Sequence, residues 1–296
     1  MPDNNSQFAE ILNGLYRGKI VPYLGPGVLE GVNDEAGEPI PADSDSLIFA
    51  MNEGKPMAKR LMYEFPRAAM HVELKRGRTF LTKFLNTLYA EKNWSRARLH
   101  DWLATIKPAY VIDINRDTQL QDTYADTSHI LINGVSRIGG TQYRFKIYYF
   151  DGSLYKEIDQ ADVDPTLPVL FKPMGTPKPD SNYIASDADY VDYITELMGG
   201  FAIPSFIKEY RKGKQYLLLG MRLTRDTERM VLSDMMYSAD EPKGWALIAE
   251  PNRKEQRFCK RIGVEIIETD LDTFLCEAAM HSVAVTSAPE ANLIGC

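Results

Sequence analysis

The sequence predicts an α/β fold: a mostly parallel sheet with helices on both faces, plus an inserted helical module. Three observations predict it. The C-terminal half alternates apolar runs at 216–219, 246–249 and 264–267 with helical patterns carrying Val231, Leu232, Met235 and Met236, then Phe258 and Ile262, then residues 271–279; that order favours parallel strands with crossover helices. The run Tyr216-Leu217-Leu218-Leu219 is continuously apolar, as expected of a strand buried on both faces. Residues 46–105 show only helical spacing, as in Leu61 with Phe65, Phe80 with Phe84 and Leu88, and Trp102 with Leu103, so a helical module separates the first strand from the second.

The remaining elements follow in order. Phe8, Ile11, Leu12 and Leu15 mark an amphipathic helix that Gly18 ends. Residues 20–24 read as a strand, although Pro22 counts against a central position because it lacks a ladder donor. Residues 29–45, rich in Gly, Pro, Asp and Glu, read as a lid-length loop. Residues 109–112 form a buried-type strand ending at Asp113, and 115–126 a polar loop. Residues 129–132 and the alternating Tyr143, Phe145, Ile147 and Tyr149 suit a hairpin on the main sheet, with Gly139-Gly140 at its turn. A short strand at 169–171 precedes a capping box, Ser186 with Asp189, that opens a helix carrying Tyr190, Ile194 and Leu197. A helix follows Pro204, and Asn252 with Glu255 caps another. The expected organisation is one sheet domain from 1–28 and 106–281, the loop and helical module at 29–105, and a flexible tail at 282–296.

Composition narrows the function. With 296 residues, 44% hydrophobic and 25% charged, the chain can bury a large core. Its net charge of -7 argues against a dedicated nucleic-acid binder; the basic runs at 75–78 and 211–214 read as solvated helix ends. Cys259, Cys276 and Cys296 form no C-x-x-C pair, which removes a zinc ribbon and a disulfide framework, and no metal is expected. Cys259 reads as core packing. The N-terminus lacks signal-peptide features, no run approaches a membrane span, and a cytoplasmic setting is expected.

Four strand ends carry glycine or polar clusters. Leu24-Gly25-Pro26-Gly27 follows the first strand; such a turn lets backbone approach a pyrophosphate and offers it free N–H groups, though a plain strand-to-loop turn reads equally well and Pro26 removes one donor. Asp113-Ile114-Asn115-Arg116-Asp117 follows the second, where polar groups can orient a ribose or a water or simply form an Asx-rich turn. Lys172-Pro173-Met174-Gly175 follows the third, and a Pro/Gly turn with a packed methionine is its structural alternative. Gly220 and Arg222 follow the fourth, with Asp226 and Arg229 beyond them as an i, i+3 pair. Glu250, after 246–249, is placed to accept from ribose hydroxyls, or to stand as a solvated loop acid.

Taken together, these clusters resemble the SIR2-like family, whose motifs occur in this order. Gly25 and Gly27 match its G-A-G turn, Asn115 and Asp117 its asparagine-aspartate motif, and Gly220 and Leu223 its late G-x-S-L motif. Lys172 and Gly175 flank the position of its histidine, and Ser186 with Tyr190 resembles the segment that follows. The resemblance implies a Rossmann-like sheet that binds NAD or ADP-ribose at its strand ends. Gly25, Pro26, Gly27, Asn115, Gly175, Gly220, Arg222 and Glu250 would hold the cofactor. Asn115 would orient a water, with Asp117 supporting its loop. Leu29, Asp113, Met174 and Arg222 depart from the pattern. Met174 matters most, because it replaces a proton-handling histidine and a thioether takes no proton at neutral pH. Of the histidines elsewhere, His129 is the nearest to a substitute. The family contains NAD-dependent protein deacylases and NAD hydrolases, several of which act in antiphage defence. Deacylation is the least supported, since sirtuins carry a zinc module with two C-x-x-C pairs and this chain has none. An NAD hydrolase, a catalytically inactive NAD or ADP-ribose binder, and a scaffold or accessory protein acting through residues 46–105 or the tail, as monomer or oligomer, stay in view.

Overall fold

The computed structural model describes residues 4–287, with side chains from Ser6 to Met280. The chain opens with α1 (Asn4–Tyr16), β1 (Ile20–Leu24) and a 3-10 turn, Pro26–Leu29. Then come α2 (Ser44–Met51), α3 (Phe65–Arg76), α4 (Arg78–Asn86), a π-helical turn Thr87–Glu91 and α5 (Arg98–Ile106). The middle holds β2 (Tyr110–Asp113), α6 (Gln119–Thr123), β3 (His129–Gly134), β4 (Phe145–Phe150), β5 (Tyr155–Glu157), β6 (Val169–Lys172), β7 (Gly175–Thr176) and β8 (Asn182–Tyr183). It ends with α7 (Asp187–Met198), α8 (Ser205–Tyr210), β9 (Gln215–Leu219), α9 (Asp226–Met235), β10 (Gly244–Leu247), α10 (Arg253–Ile262), β11 (Val264–Ile267) and α11 (Leu271–Ser287).

Among the described residues, nine strands form one sheet in the order β11-β10-β9-β1-β2-β6-β3-β4-β5. Every pairing from β11 to β3 is parallel; β4 and β5 add an antiparallel edge. This is the mostly parallel, Rossmann-like α/β sheet that the alternating pattern predicts. Strand side chains alternate between two cores, as pleating requires. Ile20, Leu24, Val111, Leu170, Leu217 and Leu219 pack on one face with α1, α2 to α5 and α11. Val21, Tyr23, Ile112, Phe171, Tyr216 and Leu218 pack on the other with α7 to α10. The helical module at 29–105 is therefore the cover of one sheet face, sharing its core, rather than an appendage.

Several details differ from the sequence reading. Pro22 lies in a central strand after all. The register between β1 and β2 begins at Tyr23, one residue past it, so the missing N–H falls outside that ladder. Residues 115–126 are not a solvated loop: Asn115, Arg116, Asp117, Gln119, Gln121 and Thr123 are buried, and α6 forms among them. Helix α11 runs to Ser287, past position 282; the rest of the expected tail, residues 288–296 with Cys296, lies outside the described residues. Strands β5, β7 and β8 have too few residues to carry a readable pattern.

Both predicted caps are present. Asn252 Oδ1 accepts from the N–H of Lys254 (2.8 Å) and Glu255 (3.1 Å), while the Glu255 carboxylate accepts from the N–H of Asn252 at 2.9 Å. Asn252→Ala should cost about 1 kcal/mol of stability, read as a drop in Tm with ligand binding unchanged. Asp189 accepts from the N–H of Ala185 (3.0 Å) and Ser186 (2.9 Å), and also pairs with Arg78 of α4 and with Arg137. Burial opposes ionisation of Asp189, but Arg78 and these N–H groups outweigh it and hold the carboxyl below its usual range. That network ties the helical module to the opposite half of the chain.

Candidate functional site

The strand order places the site. β1 stands at the centre, with β2 on one side and β9 on the other, so the connections leave in opposite directions. Such a switch point leaves a crevice at the carboxyl ends of the strands. β9, β1, β2 and β6 are neighbours, and their carboxyl ends lead into Gly220, Gly25, Asn115 and Met174. The four segments singled out in the sequence converge.

The contacts there are backbone-close. Gly25 N–H donates to Leu219 O and Gly27 N–H to Gly220 O, each at 2.8 Å; Val28 N–H donates to Gly25 O at 3.2 Å. Gly220 has a φ of +65°, and a Cβ on it would lie 2.4 Å from Val28 N. These glycines exist because the two turns press together. This corrects the expectation of a phosphate cradle at the first turn: its N–H groups at 25, 27 and 28 are already engaged, and Pro26 has none. Gly175, with φ +85°, is likewise explained by pairing of β7 with β8, since a Cβ there would meet Asn182 O at 2.1 Å.

Asn115 is fixed from beneath. Its N–H and its Nδ2 both donate to Asp113 Oδ1 at 2.9 Å, and Nδ2 also donates to Gly25 O at 3.0 Å. Lys172 Nζ donates to the other carboxylate oxygen of Asp113 at 2.6 Å, with both side chains fully buried. Burial pushes the Asp113 carboxyl up and Lys172 pulls it back; the net is upward to about 6. Asp113 and Lys172, one a departure from the family pattern, thus form the pedestal of Asn115. Arg116 is pinned by Ile184 O (2.6 and 3.1 Å) and lies beside Tyr190 Oη at 3.3 Å.

The crevice has two parts. An outer chamber of about 760 Å³ is lined by Pro26, Gly27, the loop at 29–31 and 39–46, Arg222, Arg225 and Glu228. It falls in the range that holds small ligands. An inner neck of about 50 Å³, reached past Pro26, Ser44, Arg225 and Glu228, is bounded by Asn115, Arg116, Met174, Phe65, Tyr89 and Tyr190. The loop read as a lid forms one wall, tied down by Tyr89 Oη to Pro41 O and by Phe65 N–H to Ser44 Oγ, each at 2.5 Å.

Other predicted site residues fall elsewhere. Asp117 accepts from Gln119 N–H at 2.7 Å and lines a separate polar cavity of about 240 Å³ with Lys92 and Lys178. Glu250 is exposed beyond β10, one strand further out, and lines neither part of the crevice. His129 begins β3, at the amino end of the parallel strands, bonded to Tyr155 Oη and Thr127 O at 2.8 Å, and so cannot stand in for Met174.

Sequence reasoning missed two acids. Glu64, just before α3, accepts from the N–H of Asp226 (3.0 Å) and from Thr227 Oγ1 (3.4 Å), covering the first turn of α9. Glu228, in the first turn of α9, has a buried Oε2 with no hydrogen-bond partner in the protein. Burial, then Glu64, pushes its carboxyl up to about 8. Acid at the start of the helix after 216–219 was the available signal for Glu228; nothing local marked Glu64, which meets α9 from 162 positions away. Among the described residues no His, Cys, Asp or Glu cluster suits a metal ion, and no helix is long and apolar enough to cross a membrane.

These features define a doubly wound α/β protein with a crevice at its switch point. Residues 110–267 match the SIR2-like domain, more than half of the 296-residue chain. The chain belongs to the SIR2-like family. The match begins at β2, so the first glycine turn and the helical module lie outside it. No curated protein matches the chain.

Proposed function

We propose that this chain binds NAD or ADP-ribose along the crevice, with the adenosine diphosphate portion in the outer chamber. The observation that carries this reading is the convergence of four neighbouring strand ends on one crevice: the ends of β1 and β9 lead into its outer chamber of about 760 Å³, and those of β2 and β6 into its neck. Membership of a family that is generally NAD-related supports it. Since the turn N–H groups are engaged, Arg222 and Arg225 meet the diphosphate. Arg225 sits only 3.6 Å from Asp45, an exposed pair of small energy that a phosphate readily displaces. Asn115, its amide nitrogen held, presents Oδ1 to the ribose or to a water.

Two variants test this. Arg225→Ala should weaken ADP-ribose binding roughly tenfold, the effect of one charge-assisted contact of about 1.5 kcal/mol; Asn115→Ala should reduce nicotinamide release from NAD more than it reduces binding. Thermal shift with ADP-ribose reads the first and product analysis the second. Unchanged affinity in the Arg225 variant contradicts the phosphate assignment.

A second reading has support of its own. Met174 stands where the family has its histidine, and the neck is too narrow for a nicotinamide ring, given that a benzene-sized ligand fills about 150 Å³ against about 50 Å³ here. On that reading the chain is a catalytically inactive NAD or ADP-ribose binder serving as an accessory or scaffold subunit, with the outer surface of the helical module as the partner face. It predicts a thermal shift with ADP-ribose and no nicotinamide from NAD.

A further inference from the structure

We propose that Glu228 is the acid–base residue of this crevice, taking the proton of a water held in the neck as that water attacks C1′ of the nicotinamide ribose. The inference rests on the reading that the crevice binds NAD. Elimination and geometry carry it. No histidine lines the chamber or the neck. Glu64 already accepts two hydrogen bonds at the start of α9, and Tyr190 Oη faces Arg116. Glu228 alone lines both chamber and neck with a buried carboxylate oxygen that nothing in the protein engages. A buried polar atom without a protein partner calls for an explanation, and at Glu228 the crevice beside it supplies one, a water or a ligand. The neck, too small for the pyridine ring, has room for one or two waters with Asn115 and Glu228 among its polar walls. The dinucleotide then stays in the outer chamber, with C1′ at the mouth of the neck.

The step balances without an oxidant or reductant. The C1′–N1 glycosidic bond breaks, and its electron pair stays on the pyridinium nitrogen and neutralises it. The water oxygen bonds to C1′, and the water proton passes to the Glu228 carboxylate and on to solvent. NAD and water become nicotinamide, ADP-ribose and a proton. Glu228 faces Glu64 and Asp43, which disfavour its charge, Arg225 and Arg116, which favour it, and the phenols of Tyr23 and Tyr190. Burial leads this balance and leaves the carboxyl at about 8, near the working pH that suits a general base. Since the base acts unprotonated, kcat/KM rises with pH up to about 8 and levels above it.

The test uses the full chain, with nicotinamide release from NAD and the thermal shift with ADP-ribose measured side by side. Glu228→Gln should lower kcat roughly 10²–10⁴-fold, abolish the rising limb of the pH profile and keep the ADP-ribose shift. Glu228→Asp should keep part of the turnover and the limb. Wild-type turnover in the Gln variant overturns the assignment. So does a wild-type chain that binds ADP-ribose but releases no nicotinamide, which leaves the binding reading standing. Absence of a shift with NAD, ADP-ribose and ATP alike ends both.

Discussion

Lys172→Met should destabilise the protein by about 3–5 kcal/mol, because it strips the counter-charge from a buried carboxylate. Both members of the Lys172–Asp113 pair are fully buried, 2.6 Å apart, and methionine fills the space of the lysine stem while donating nothing. A loss of that size is a large fraction of the 5–15 kcal/mol that typically separates folded from unfolded chains. The deficit should also grow with pH. Asp113, deprived of Lys172, holds its proton in the folded state to a still higher pH than the present value of about 6, whereas its ordinary value is 3.8. The folded state then binds the proton across a window that starts near 3.8, and stability falls as pH rises through it. Denaturant midpoints at pH 5 and pH 8 measure both effects. Adding Asp113→Asn should recover part of the loss, since a neutral amide leaves no orphan charge while its oxygen still accepts from Asn115. A Lys172→Met variant as stable as the parent at pH 8 contradicts the pedestal.

Gly220→Ala should abolish ADP-ribose binding and destabilise the fold by more than about 2 kcal/mol. Its left-handed backbone costs any other L-residue about 1–2 kcal/mol. The added Cβ would lie 2.4 Å from Val28 N and 2.7 Å from Gly27 C, both backbone atoms, so the turn after β1 must move. Gly213 supplies the control. It has a similar φ of +68° with nothing within 4 Å of a Cβ, so Gly213→Ala bears the backbone strain alone and leaves binding intact. Equal losses in the two variants, with ADP-ribose binding retained in both, would mean that the contact between the turns does not shape the site.

The fold was legible because it is written in period and order. Apolar runs such as Tyr216-Leu217-Leu218-Leu219, followed by amphipathic helices, leave few arrangements other than a parallel sheet covered on both faces. The convergence of Gly25, Asn115, Met174 and Gly220 was legible for the same reason, since each follows a strand and neighbouring parallel strands end together. The chemistry of the lining was not. Glu228, between Asp226 and Arg229, was not singled out, because only the tertiary packing around the start of α9 buries its Oε2. Asp113 and Lys172 are 59 positions apart, so no local pattern pairs them. Glu250 was misjudged because a carboxylate after a strand says nothing of how far that strand lies from the switch point. The glycines were found for an incomplete reason: they permit the two turns to touch, and the N–H groups expected for a phosphate bond to the carbonyls of Leu219, Gly220 and Gly25.

The central claim is that one crevice, at the carboxyl ends of β9, β1, β2 and β6, receives an adenine dinucleotide. A crystal structure of the chain with ADP-ribose tests it most directly. The account predicts the diphosphate beside Arg222 and Arg225 in the outer chamber, and the distal ribose against Asn115 and Glu228 at the mouth of the neck. ADP-ribose bound elsewhere on the molecule, or that chamber empty at saturating ligand, contradicts it.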